Sequence, residues 1–163
     1  MDSSIAFLAA LADDEFDGRS FNGPSLMKTL GSLSPEVAAY PGTWEGYSAW
    51  GVALHCAYFK YFIARSLGAA GAIHPYPFDQ GADGFGAPAA VDVPSWAAVQ
   101  AYLRRAHAAA WAAAAGLDQA ALAAIMPEWK IPYSRALAWL ASHDSYHVAQ
   151  IRSMGVPGIK EPR

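Results

Sequence analysis

The chain has 163 residues, a net charge of −3 and only 15% charged residues, against 54% hydrophobic and 13% aromatic. That composition excludes a disordered or solvating chain, and without a Lys/Arg block it lacks the electrostatic footprint of a nucleic-acid binder. The length suits one domain, residues 1–163, with a core that needs no staples, and the single cysteine, Cys56, leaves no internal disulfide.

The first segment, MDSSIAFLAALADDEF, has an apolar run but no basic residues before it, and acids follow. It reads as a helix over about 3–15 with Ile5, Leu8, Ala9 and Leu11 near one face, not as a signal peptide. Asn22-Gly23-Pro24 is a turn signal. A short helix is expected from Ser25 to about Leu33. Ser34-Pro35-Glu36 then looks like a cap followed by proline at the first helical position.

The second long element is expected over 43–67. Thr43 can cap it, Glu45 suits its first turn, Arg65 its last, and Gly68 stops it. Trp44, Tyr47, Trp50, Leu54, Tyr58, Tyr61 and Phe62 keep helical spacing, and His55 sits beside Leu54 on the edge of that stripe. Residues 68–93 are rich in Gly, Ala and Pro and keep no period. A segment of that length in a compact domain is usually functional, and it reads as a long crossover that also covers a pocket.

The third long element spans about 94–115, with Trp96, Val99, Leu103, Ala106, Ala110 and Trp111 facing inward. A short helix follows at about 118–126. The fourth runs over about 132–154, with Pro132 near its start, Arg152 in its last turn and Gly155 and Pro157 beyond it. No strand signal competes. The fold class is all-α, a four-helix bundle with a long crossover between the second and third long helices. None of the apolar stretches gives about twenty clean residues, so no membrane span is expected, and the default location is cytoplasmic.

His143 and His147, in HDSYH, lie four apart on the fourth helix. Residues at i and i+4 share a helix face, and two imidazoles there can reach one metal ion. His55, midway along its own helix, would reach the same level as a third ligand if the two helices are neighbours. Bundle sites are built in this way from facing helices. Three protein ligands leave positions open, as in a catalytic site. Such an ion would acidify bound water or activate a thiolate. The competing reading is histidines bonded to carbonyls or water. His107 falls on the inward side of the third helix, as a base behind the ligands, a fourth ligand or a plain core residue. Tyr58, Tyr146 and Gln150 are candidates for lining the pocket, with packing the simpler role for the tyrosines. Cys56, about 100° around the helix from His55, is a poor co-ligand and reads as a buried, inert thiol.

The layout and the stretch His143, His147, Ala149, Gln150, Ile151, Gly155 resemble the DinB-like (DinB/YfiT) metalloenzymes. That family more often has glycine where this chain has Ala149. The resemblance implies a divalent metal (nickel, zinc or iron) held by three histidines, and often a homodimer. Several relatives are transferases or isomerases that use a low-molecular-weight thiol such as bacillithiol or mycothiol, and some are associated with stress responses. The resemblance thus implies a thiol-dependent enzyme acting on a small electrophile. Metal-dependent hydrolysis and a non-catalytic bundle acting through dimer or partner contacts are the alternatives.

Overall fold

The computed structural model describes residues 3–159. Its helices are α1 (Ser3–Phe16), α2 (Leu26–Gly31), α3 (Pro35–Ala38), α4 (Ala49–Ser66), α5 (Val93–Ala115), α6 (Gln119–Ala123) and α7 (Tyr133–Ser153), with one 3-10 turn at Gly71–Ile73. The described residues form no strand beyond an isolated bridge between Ile125 and Pro132. The protein is all-α, and no helix is long and apolar enough to cross a membrane.

Local chemistry places the boundaries. Ser34, Asp92 and Asp118 each accept a hydrogen bond from the backbone N–H three residues on, capping α3, α5 and α6. Pro35 and Pro94 occupy first-turn positions, where no backbone donor is lost. The start of α4 differs from the sequence expectation. Ser48, not Thr43, caps it through Gly51 N–H at 3.1 Å. Thr43 instead donates to the Tyr47 carbonyl at 2.6 Å. Trp44 therefore stands outside the helix and is 78% exposed. Its N–H bonds the Met154 carbonyl at 2.9 Å. Its ring lies so close over Gly155, at φ +86°, that a Cβ there would meet it at 2.7 Å.

Each of the four long helices packs on two others: α4 on α5 and α7, and α1 on α7 and α5. Between them lie Ile5, Trp50, Leu54, Leu103, Leu137 and Ile151, all at most 2% exposed. On α1 the buried face is Ile5, Ala12, Glu15 and Phe16, while Leu11 faces out. The segment between α4 and α5 is tied down by side chains. Tyr76 donates to the Leu54 carbonyl at 2.8 Å and Tyr102 to the Ile73 carbonyl at 2.7 Å.

A buried ion pair crosses the core. Lys60 of α4 meets Asp144 of α7 at 2.7 Å, with side chains 0% and 1% exposed. Lys60 also lies 5.1 Å from the Phe16 ring centroid, so α1 completes its surroundings.

His107 does not join the other buried histidines. Its Nε2–H donates to Asp13 at 2.8 Å, its ring stacks on Phe16 at 3.9 Å, and its Nδ1 has no hydrogen-bond partner in the protein. Of the three readings for His107, these contacts fit the plain core residue. The inward side of α5 at this level faces α1. Burial, with Lys60 nearby, pushes the His107 pKa down to about 4, against the pull of Asp13. A histidine held neutral in the fold binds its proton more readily when unfolded, so its contribution is complete above the unfolded pKa near 6.5 and is lost as pH falls toward 4. We expect denaturant titrations to show on the order of 2 kcal/mol lost through this group between pH 7 and pH 5. His107→Phe should flatten the slope, and an unchanged slope would refute the assignment.

Candidate metal centre

His55 projects from the middle of α4, and His143 and His147 from successive turns of α7, the neighbouring helix. One ring nitrogen from each lies within 4.8 Å of the other two. His143 Nε2 and His147 Nε2 are 3.2 Å apart.

Neighbours fix the tautomers. The Gly84 carbonyl can only accept, so His55 donates to it from Nδ1–H at 3.1 Å. The Gln150 side-chain oxygen accepts from His147 Nδ1–H at 2.7 Å. Both rings then keep a lone pair on Nε2. Gln150 in turn donates to the Tyr47 hydroxyl, and Tyr47 donates to Glu45 at 3.2 Å. An outer chain thus runs from His147 to an exposed carboxylate.

Burial keeps the imidazoles neutral. It lowers the His55 pKa, against a hydrogen bond to Gly84 that raises it. Burial, with His147 alongside, pushes His143 down to about 2. Burial takes His147 to about 4, opposed by the Gln150 bond. Neutral imidazole is the ligating form.

The donor set fits a divalent ion. Two imidazole nitrogens bound to one ion at 2.0–2.1 Å with a tetrahedral angle stand about 3.3 Å apart, close to the 3.2 Å seen. Without a shared cation or proton, the two lone pairs would face each other in a buried space. Histidine-only sets suit zinc, nickel, iron or copper.

A second group, Cys56, His143 and Asp144, also brings one donor atom from each within 4.8 Å. It is the poorer site. Asp144 is committed to Lys60, and burial, with Asp144 adjacent, pushes the thiol pKa well up, which opposes the thiolate that ligation needs. Cys56 is fully buried.

Of the other candidates, Gln150 reaches the cluster directly. Tyr146 sets its ring edge-on to His147 at 5.0 Å and is 66% exposed. Tyr58 packs against Phe59, Phe62 and Tyr76 and touches none of the three imidazoles.

Sequence reasoning missed the aromatic surround. Phe85 stacks on His55 at 4.4 Å and on Tyr47 at 3.9 Å. With Gly84 at φ +86° beside it, this is where the segment between α4 and α5 touches the site. Phe59 packs on both His55 and His143. A pocket of about 460 Å³ opens from the cluster, lined by His55, Phe59, Trp129, Trp139, Leu140 and His143.

The chain is thus an all-helical protein with three converging imidazoles that could hold a metal ion. The sequence model of the DinB superfamily matches residues 6–151, and the chain belongs to that superfamily. No curated protein and no solved structure matches it.

Outer hydrogen bonds to metal-bound histidines typically control affinity by 10–100-fold. Gln150→Ala should weaken metal binding by about that factor, with the folded spectrum unchanged. Competition against a chromophoric chelator measures it, and an unaltered affinity would show that Gln150 does not orient His147.

Proposed function

We propose that this chain is a metal-dependent enzyme in which His55, His143 and His147 hold one divalent ion (nickel, zinc or iron) within a four-helix bundle, the segment between α4 and α5 serving as its long crossover. The reaction we favour joins a low-molecular-weight thiol to a small electrophile or isomerises the adduct. The observation that carries the reading is the 3.2 Å approach of two imidazole nitrogens whose neutral rings face one point beside an open pocket. Superfamily membership supports it.

When bound, the ion would supply Lewis acidity, which lowers the pKa of a thiol or water and polarises a carbonyl. The protein's own part is positioning. Gly84 and Gln150 hold two of the rings in the ligating tautomer. Phe85 and Phe59 both pack on the His55 ring, at 4.4 and 4.7 Å. The pocket walls beside the imidazoles are mostly apolar. The Gln150–Tyr47–Glu45 chain holds His147 from the outside.

Metal analysis of untagged protein before and after chelation tests the ligand set. Thiol consumption with an electrophile then tests the reaction. Near-stoichiometric metal with metal-dependent consumption of thiol supports the reading. Failure to take up nickel, zinc, iron or manganese would leave a non-catalytic helical protein.

A further inference from the structure

The pocket beside the three imidazoles has two unlike ends. Its inner end is His55 and His143, and the rest of its lining is Phe59, Trp129, Trp139 and Leu140. At about 460 Å³ it falls in the size range of small-molecule sites. No charged side chain lines it among the described residues, so away from the imidazole end a charged group would lose hydration without gaining a partner. The walls are mainly aromatic rings. Phe59 and Trp129 have ring centroids 5.8 Å apart, and Trp129 and Trp139 are 6.3 Å apart.

The walls are held in place. Trp129 sits in the short loop between α6 and α7, closed by Met126 N–H to the Ile131 carbonyl at 2.8 Å and by Lys130 N–H to the Met126 carbonyl at 3.0 Å. Phe62 stacks on Trp129 at 5.3 Å and 19°. Lys130, next in sequence, is the one non-glycine residue with positive φ (58°) among the described residues. Side chains other than glycine, asparagine and aspartate rarely adopt that conformation, and such strain persists where surrounding structure enforces it, often at ligand sites. Trp139 is half exposed, yet the Arg135 guanidinium one turn earlier lies 4.9 Å from its ring, which restrains it.

Together these features point, we infer, to a ligand with two ends: a flat, uncharged aromatic ring that inserts among Phe59, Trp129 and Trp139, and a Lewis-basic group on one edge of that ring directed at the three-histidine cluster. The inference rests on the metal-binding reading above and goes beyond it by naming the substrate class.

Imidazole, 4-phenylimidazole and 4-cyclohexylimidazole test it on protein loaded with Co(II), followed through the visible cobalt spectrum. Metal content is measured before any ligand is added. Burial and stacking of the phenyl ring should tighten binding about 10- to 100-fold over imidazole, with the cyclohexyl compound in between. Trp139→Ala, at a half-exposed position the fold tolerates, and Trp129→Ala should each remove most of that gain and leave imidazole affinity unchanged. Equal affinities for imidazole and 4-phenylimidazole would overturn the inference and leave the metal reading standing. So would a phenyl advantage that survives both substitutions, or a cyclohexyl compound that binds as tightly as the phenyl. A protein that takes up no cobalt would overturn both readings, and bound cobalt whose spectrum none of the three compounds alters would overturn the inference alone.

Discussion

Lys60→Met should destabilise the protein by about 3–5 kcal/mol, because it leaves the Asp144 carboxylate buried without a counter-charge. That is a large part of the 5–15 kcal/mol typical of a whole domain. The two side chains are 0% and 1% exposed and meet at 2.7 Å. Asp144 is poorly equipped to stand alone, since its Oδ1 has no hydrogen-bond partner in the protein and its other neighbours include the neutral His143 and the buried Cys56. Asp144→Leu should cost a similar amount, this time by stranding the ammonium group between α4 and the Phe16 ring. The double variant Lys60→Met/Asp144→Leu should recover most of either loss. A buried pair replaced by apolar residues of similar volume is often neutral or better, since the desolvation cost of both charges disappears. Urea denaturation of the four proteins gives the coupling energy directly. Additive losses in the double variant would show that the two charges do not depend on each other.

This pair marks where sequence reading ran out. Helical periodicity, glycine stops and proline starts place every long helix to within a few residues, apart from the α4 start. The misplaced start at Thr43 follows from a real ambiguity: Thr43 and Ser48 are both good caps, and Trp44 and Tyr47 happen to extend the apolar stripe backward. Only tertiary contact decides, through the Trp44 N–H to the Met154 carbonyl and the ring over Gly155. His143 and His147 are legible because a helix converts spacing into proximity. His55 is legible once α4 is taken to neighbour α7. Lys60 and Asp144 are 84 residues apart, and nothing local in either stretch shows that they pair. The same holds for Gly84 and Phe85, which come from a segment without period. His107 read as inward-facing with three roles open, and its side of α5 meets α1.

His55→Ala and His147→Ala should each abolish the stabilisation that metal confers. An ion that binds only the folded state adds about 4 kcal/mol at a free concentration one thousand times its Kd, or roughly 8–16 °C in Tm at 2–4 °C per kcal/mol. With one of three imidazoles gone, affinity should drop by about a thousandfold or more, well beyond the roughly 10–100-fold expected for loss of an outer hydrogen bond, which leaves at most about 0.4 kcal/mol at the same metal concentration, so the thermal shift should all but vanish. The metal-free variants should melt close to the metal-free parent. His55 is only partly buried, and removing His147 relieves the close nitrogen–nitrogen approach to His143. Cys56→Ala supplies the contrast. His143 belongs to two candidate donor groups, one with His55 and His147 and one with Cys56 and Asp144, so its loss alone would not distinguish them. If the ion sits among the three histidines, Cys56→Ala keeps the metal-induced shift while His55→Ala and His147→Ala lose it. The reverse pattern would place the ion on the inner side of α4, against Asp144, and would remove the metal from the pocket walled by Phe59 and Trp129.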